Sequence, residues 1–256
     1  MKSSFFPTLA LTLALAGAPA LAKEAIFVSP EQSEAIFLLP NPPAEGSDEQ
    51  KAELQFLHAI ETARTPAQAE AAKADADNQT IFIYKSVFGD IFTEANLPLT
   101  AALGQRIHND EGLNADAAKA FFHRVHPYTV DKTLNPVCPT KAKDDSYPSG
   151  HTTVGWLLGL SLAEMVPEKR DAILTRATEY GRNRLICGVH YPSDVLAGRN
   201  FAYAVHGAMA QSPQYKQELA AARAELRKAL GLPEFQAPQP VKADNMKADG
   251  MKAESK

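Results

Sequence analysis

The segment HTTVGWLLGLSLAEMV, residues 151–166, is apolar on nearly every face of a helical wheel, with Val154, Trp156, Leu157, Leu158, Leu160 and Leu162 covering all sides. A helix of that kind is stable only when neighbours surround it. The chain must therefore build a layer of partners around one central rod. Glu164 interrupts the apolar run before it reaches the ~20 residues that a bilayer span needs, so the rod belongs to a protein core. Its candidate partners also read as helices: KAELQFLHAIETA, where Leu54, Leu57 and Ile60 recur every third residue, then LTAALGQRIHNDEG, DAAKAFFHRVH, EKRDAILTRATEYGRNRLICG, SDVLAGRNFAYAVHGAMA and YKQELAAARAELRKAL. IFIYKSVF is the one strand candidate, and periodicity does not separate it from a short buried helix. The expected fold class is all-α, a compact helical bundle.

The ends of the chain differ from this middle. Lys2, the run LALTLALAGAPALA and the small residues at Ala20 and Ala22 predict a cleaved secretory signal over residues 1–22, which places the mature protein in a periplasmic or secreted setting. Residues 23–50 are rich in Pro, Ser and Glu and are expected to drape irregularly over the surface. From Pro233 onward VKADN, MKADG and MKAES repeat with a period of five and no hydrophobic face, which predicts a disordered low-complexity tail over 233–256. One folded domain, 23–232, lies between. Removing the signal takes away one lysine, leaving 25 Lys+Arg against 30 Asp+Glu and a net charge of −5. That balance excludes nucleic acid as a partner, since backbone phosphates require a basic surface. Stable membrane insertion is not expected either, and a homo-oligomer is left open. Cys138 and Cys187 are the two cysteines, and in an oxidising compartment they are expected to pair.

Three stretches carry chemistry. KAFFHRVHP, residues 119–127, sets one lysine, one arginine and two histidines around a phenylalanine pair, and admits a metal on His123 and His126, a nucleic-acid patch, or a phosphate cradle. YPSGHTT places a Ser-Gly turn before the apolar rod. Such a turn exposes backbone N–H groups and the positive end of the helix dipole, which suits an anion, although Ser149 also reads as an ordinary N-cap. GRNRLICGVHYPSDVLAGR holds Arg184, His190 and Asp194. With Pro192 starting a helix, Asp194 can reach one imidazole nitrogen of His190, fix its tautomer and leave the other nitrogen free.

Together Lys119, the block Pro148-Ser149-Gly150-His151, and Arg184 with His190 and Asp194 resemble the three-part signature of the phosphatidic acid phosphatase type 2 superfamily: K-x6-R-P, P-S-G-H and S-R-x5-H-x3-D, in that order. The signal segment, SYPSGHT, the ICG-x-H segment and the cysteine pair are similar, more narrowly, to bacterial class A non-specific acid phosphatases. The resemblance implies an acid phosphatase acting on small-molecule phosphomonoesters without metal or other cofactor. It implies that His190 is the nucleophile, Asp194 its orienting partner, and His151 the acid that protonates the leaving alcohol and later activates water. Lys119, His126, Ser149, Gly150 and Arg184 would hold the phosphate oxygens, in the way electrostatic stabilisation works in phosphoryl transfer. A Cys138–Cys187 bridge would tie two of the catalytic loops together.

Two positions depart from the pattern. Asn183 stands in place of serine, which keeps a small hydrogen-bonding side chain. His126 stands in place of arginine, so a permanent bidentate cation is exchanged for one that is charged only when protonated. With 119–126 read as helix, Arg124 and His126 point apart, and Arg124 does not replace the missing cation. His126 is therefore expected to bind phosphate as imidazolium, with activity falling more steeply toward neutral pH. Other activities for the same pocket are a lipid phosphatase, a vanadate-dependent haloperoxidase, and a degenerate phosphate-binding protein.

Overall fold

The computed structural model describes residues 24–141 and 143–236. The predicted signal, 1–22, and the tail from residue 237 lie outside the described residues. Residues 233–236 are irregular, with Phe235 stacked beneath the Arg223 guanidinium at 4.1 Å.

The described chain is helical and contains no strand. Its helices are α1 (Pro30–Ser33), α2 (Asp48–Ala63), α3 (Pro66–Ala76), α4 (Lys85–Phe88), α5 (Pro98–Phe122), α6 (Pro127–Val130), α7 (Gly150–Met165), α8 (Arg170–Ile186), α9 (Pro192–Met209) and α10 (Pro213–Ala229). The strand candidate IFIYKSVF resolves as a 3-10 turn, Ile81–Tyr84, running into α4. The apolar rod is α7, and α5, α8, α9 and α10 enclose it. Val154, Leu157, Leu158, Leu162 and Met165 are completely buried. Close approach of α9 to α7 requires glycine at 198, where a Cβ would lie 2.7 Å from the Ser149 carbonyl oxygen.

Three sequence expectations need correction. The lead-in, expected to drape irregularly over the surface, is irregular over most of residues 24–47 but is pinned to the core. The amides of Ile26, Phe27 and Val28 donate to the Asp110 carboxylate at 2.6–2.9 Å, and Phe27, Val28, Ala35 and Leu39 enter the core. LTAALGQRIHNDEG and DAAKAFFHRVH are not two helices but one, α5, and it stops at Phe122 rather than running to His126. His123 adopts the left-handed conformation, φ 49°, and ends it. Arg124 and His126 consequently lie in an irregular connection, and the helix-face argument about them does not apply.

Cys138 and Cys187 are bonded, with Cα atoms 5.2 Å apart. The bridge joins the loop before α7 to the end of α8 across 49 residues, a closure worth about 4 kcal/mol on the chain-entropy model. Reduction is expected to lower the melting temperature accordingly. A protein with both thiols free and an unshifted melting temperature would refute that contribution.

Candidate active site

The C-terminal parts of α3, α5 and α8, the N-terminus of α7 and the loop leading into α9 converge on one cavity of about 310 Å³. Lys119, His126, Gly150, His151, Arg184 and His190 line it, together with the acidic Glu111, Asp116 and Asp145. The three motifs, spread over 76 residues of sequence from Lys119 to Asp194, thus meet at one place.

His190 lies almost wholly buried, 5% exposed. Its Nδ1 is 3.3 Å from Asp194 Oδ2. A carboxylate only accepts, so Nδ1 carries the hydrogen and Nε2 keeps its lone pair. Burial pushes the imidazole down to about 4 against the opposing pull of Asp194, which leaves the ring neutral in mildly acidic solution. Asp194 itself is fully buried yet ionised. Burial would raise it, but the His190 hydrogen bond, the charge of Arg124 and the Ser146 hydrogen bond hold it below the usual carboxylate range. Ser146 Oγ donates to Oδ2 at 2.5 Å, the Tyr191 amide donates to the same oxygen at 2.9 Å, and Arg124 Nη1 donates to Oδ1 at 2.6 Å.

Arg124 is the centre of a buried chain of alternating charge. Its Nη2 donates to Glu53 of α2 at 2.7 Å, Nη1 also reaches Ser193 Oγ at 2.6 Å, and the guanidinium lies 3.9 Å over the Tyr191 ring. Glu53 closes the circuit by accepting from the Ser193 amide at 2.7 Å. Arg124 therefore stands behind Asp194 instead of facing the cavity.

His151 donates from Nε2 to the Ala76 carbonyl at 3.1 Å and stacks on Tyr180. Burial, then the nearby charge of Arg184, with smaller contributions from His190 and Lys119, push it down to about 3 despite the Ala76 bond. Both folded histidine values lie below the 6.5 of a free imidazole. Between those limits the unfolded chain binds more protons than the folded one, so their stabilisation is whole above about 6.5 and is lost as pH falls. The melting temperature of the ligand-free protein is expected to drop on going from pH ~7 to pH ~4, and a flat profile over that range would contradict the assignment.

Arg184 is 6% exposed, its Nε has no hydrogen-bond partner, and Nη1 faces the Cys187 sulfur at 3.7 Å. Burial pushes it down to about 10, still charged. A buried, under-bonded guanidinium lining a cavity is costly unless an anion completes it. Lys119 comes from the last turn of α5. A Cβ at position 150 would lie 3.3 Å from its Nζ, so glycine there admits the ammonium against the start of α7.

Two of the residues expected to hold phosphate are placed differently. Ser149 is completely buried, and its hydroxyl oxygen accepts from Thr152 N and Thr152 Oγ1, so its observed work is to cap α7. His126 reaches the cavity, but Nδ1 lies 2.7 Å from the Val189 carbonyl and Nε2 lies 2.9 Å from Asp145 Oδ1. Both nitrogens are engaged by the protein itself, which corrects the expectation of an open phosphate ligand. His123 turns to a different aspartate, Asp144, at 2.9 Å, so the histidines of KAFFHRVHP do not converge on one point. Asn183 also turns away from the cavity and donates to Asp75, which Arg176 pairs. Ser146, Glu53, Asp75 and Asp145 were missed by sequence reasoning. Ser146 and Asp145 do adjoin the Tyr-Pro-Ser-Gly-His block, whereas Glu53 and Asp75 carry no local signal.

Fold and site together define an all-helical phosphatase. The chain belongs to the PAP2 superfamily, whose family description matches residues 98–218, from the start of α5 into α10. It is 32% identical over 204 residues to a non-specific acid phosphatase of Providencia stuartii, covering 76% of this chain and 82% of the relative. An acid phosphatase of Zymomonas mobilis is 33% identical over 205 residues, 77% of each chain. A non-specific acid phosphatase of Salmonella typhimurium is 34% identical over 209 residues, 78% of this chain and 83% of the relative.

Proposed function

We propose that the protein is an exported, metal-independent acid phosphatase of broad specificity that hydrolyses phosphate monoesters through a phosphohistidine at His190. The observation that carries this reading is the His190 ring, held through Nδ1 by a buried Asp194, in one cavity with the under-bonded Arg184, Lys119 and the N-terminus of α7. The names of the three relatives support the acid phosphatase class, and the predicted signal supports export.

In the first step the Nε2 lone pair forms the N–P bond as the P–O bond to the alcohol breaks. Asp194 compensates the charge that appears on the imidazole. Arg184, Lys119 and the Gly150 amide hold the equatorial oxygens. His151 gives its proton to the leaving oxygen, then takes one from the water that attacks phosphorus, and the N–P bond breaks to release phosphate. An acid with a folded value near 3 is deprotonated in the empty cavity. The substrate's own negative charge offsets Arg184 and Lys119, so substrate binding is what protonates His151.

Phosphate binding is therefore expected to take up a proton at pH ~5, read by calorimetry in buffers of different ionisation enthalpy, and His151→Asn should remove that uptake. Proton uptake unchanged in the variant would dissociate His151 from the acid role. The overall reading is tested by assaying several phosphomonoesters with chelator present and quenching into base, where a phosphohistidine survives. Activity that disappears with chelator, or a turnover without labelled enzyme, would overturn it.

A further inference from the structure

The position where the superfamily pattern has arginine holds a histidine already paired with an internal anion. His126 is packed by the Val189 carbonyl, the Tyr128 ring stacked at 5.1 Å, the His190 ring at 5.1 Å and the Asp145 carboxylate. Since Nδ1 donates to a carbonyl and Nε2 faces a carboxylate, only the doubly protonated ring supplies a hydrogen to both. Asp145 lines the same cavity as Lys119, Arg184 and His190. Burial would raise its carboxyl, but the His126 hydrogen bond and the charges of Lys119, His126 and Lys143 hold it ionised below the usual range. The histidine side chain is 9% exposed and the aspartate 30%, so the carboxylate is the partner with room to move.

We infer that Asp145 is an exchangeable counter-ion of His126, which the substrate or product phosphate displaces to gain the imidazolium Nε2–H as a ligand. The inference rests on the phosphomonoesterase reading of the cavity and deepens it. Asp145 becomes a specificity-determining residue: it satisfies the histidine when the cavity is empty and weakens phosphate binding by competing for it. The physical reason is that an incoming dianion must break the 2.9 Å pair and stand near the displaced carboxylate, and like charges at such separations in a partly buried site repel strongly. The pair would thereby favour release of product.

The test is the competitive inhibition constant of inorganic phosphate, checked by calorimetric titration with the same ion, for the parent, Asp145→Asn, His126→Gln and the double variant. Asparagine keeps the shape and an acceptor oxygen for Nε2–H without the charge. Asp145→Asn is expected to tighten phosphate about tenfold in the parent background and less than about twofold in the His126→Gln background. Equal tightening in both backgrounds would mean repulsion through space without exchange at His126, and would overturn the inference, as would unchanged or weaker binding in Asp145→Asn. A parent that inorganic phosphate neither inhibits nor binds would remove the phosphomonoesterase reading itself. Melting temperatures confirm folding of each variant, and Asp145→Ser, expected to act in the same direction as Asp145→Asn, gives a second reading of the charge removal.

Discussion

His190→Ala is expected to lower kcat by at least about 10⁴-fold while leaving KM within a few-fold of the parent. The split follows from the geometry. Nε2 is the one nitrogen of the ring left with a lone pair, because Nδ1 faces Asp194. Arg184, Lys119 and the Gly150 amide, which would hold the phosphate, are untouched by the substitution. The variant should fold, since Asp194 retains the hydrogen bonds of Arg124, Ser146 and the Tyr191 amide. Base quenching should yield no labelled protein, and added imidazole, small enough for the vacated space, should restore part of the rate. A variant within about tenfold of parental kcat would remove His190 from the nucleophile role.

Arg124→Met should have the largest effect on stability, a loss of about 3–5 kcal/mol. The substitution keeps much of the volume and the apolar contact with Tyr191 but leaves the buried Asp194 and the half-buried Glu53 as unpaired carboxylates on either side of the gap. Burial opposes the guanidinium charge, and Asp194 with Glu53 more than offsets that opposition, raising Arg124 above its ordinary value. Removing the cation should therefore raise Asp194, weaken its hold on the imidazole Nδ1–H, and lower kcat more than it raises KM. Arg124→Lys retains one charge without the fork that reaches both carboxylates, and should lose roughly half as much stability. Denaturant melts of the three proteins decide the matter, and an Arg124→Met midpoint indistinguishable from the parent would show that the chain of charges contributes nothing.

Much of the architecture was legible because its signals are local. The all-round apolar pattern of residues 151–166 identifies a central rod, and α7 is that rod. Pro192 and the four-residue spacing from His190 to Asp194 predict a carboxylate at one imidazole nitrogen, since Asp194 lies in the first turn of α9 and His190 just ahead of that helix. Boundaries inside apolar stretches were harder to read. DAAKAFFHRVH carries helical composition to its end, and only the left-handed His123 stops α5. The short IFIYKSVF run stayed ambiguous because burial of Ile81, Ile83 and Tyr84 suits a strand or a helix alike, and only the backbone shows a 3-10 turn running into α4.

The sequence by itself determined the local features, the apolar rod, the Ser149 cap and the His190–Asp194 spacing, because such signals act over a few positions and survive any arrangement of the helices, while only the resemblance implied that the three motifs would share a site. Tertiary structure alone decided what each of them does there. Arg124 and Asp194 are 70 residues apart, Arg124 and Glu53 71, His126 and Val189 63. Whether a cation faces a ligand or a neighbouring carboxylate depends on distances of a few ångströms created when α2, α5, α8 and α9 pack, and no pattern along the chain encodes them. For that reason Lys119 and Arg184 reach the cavity, Ser149 caps a helix, Arg124 braces Asp194 from behind, and His126 is held by Asp145.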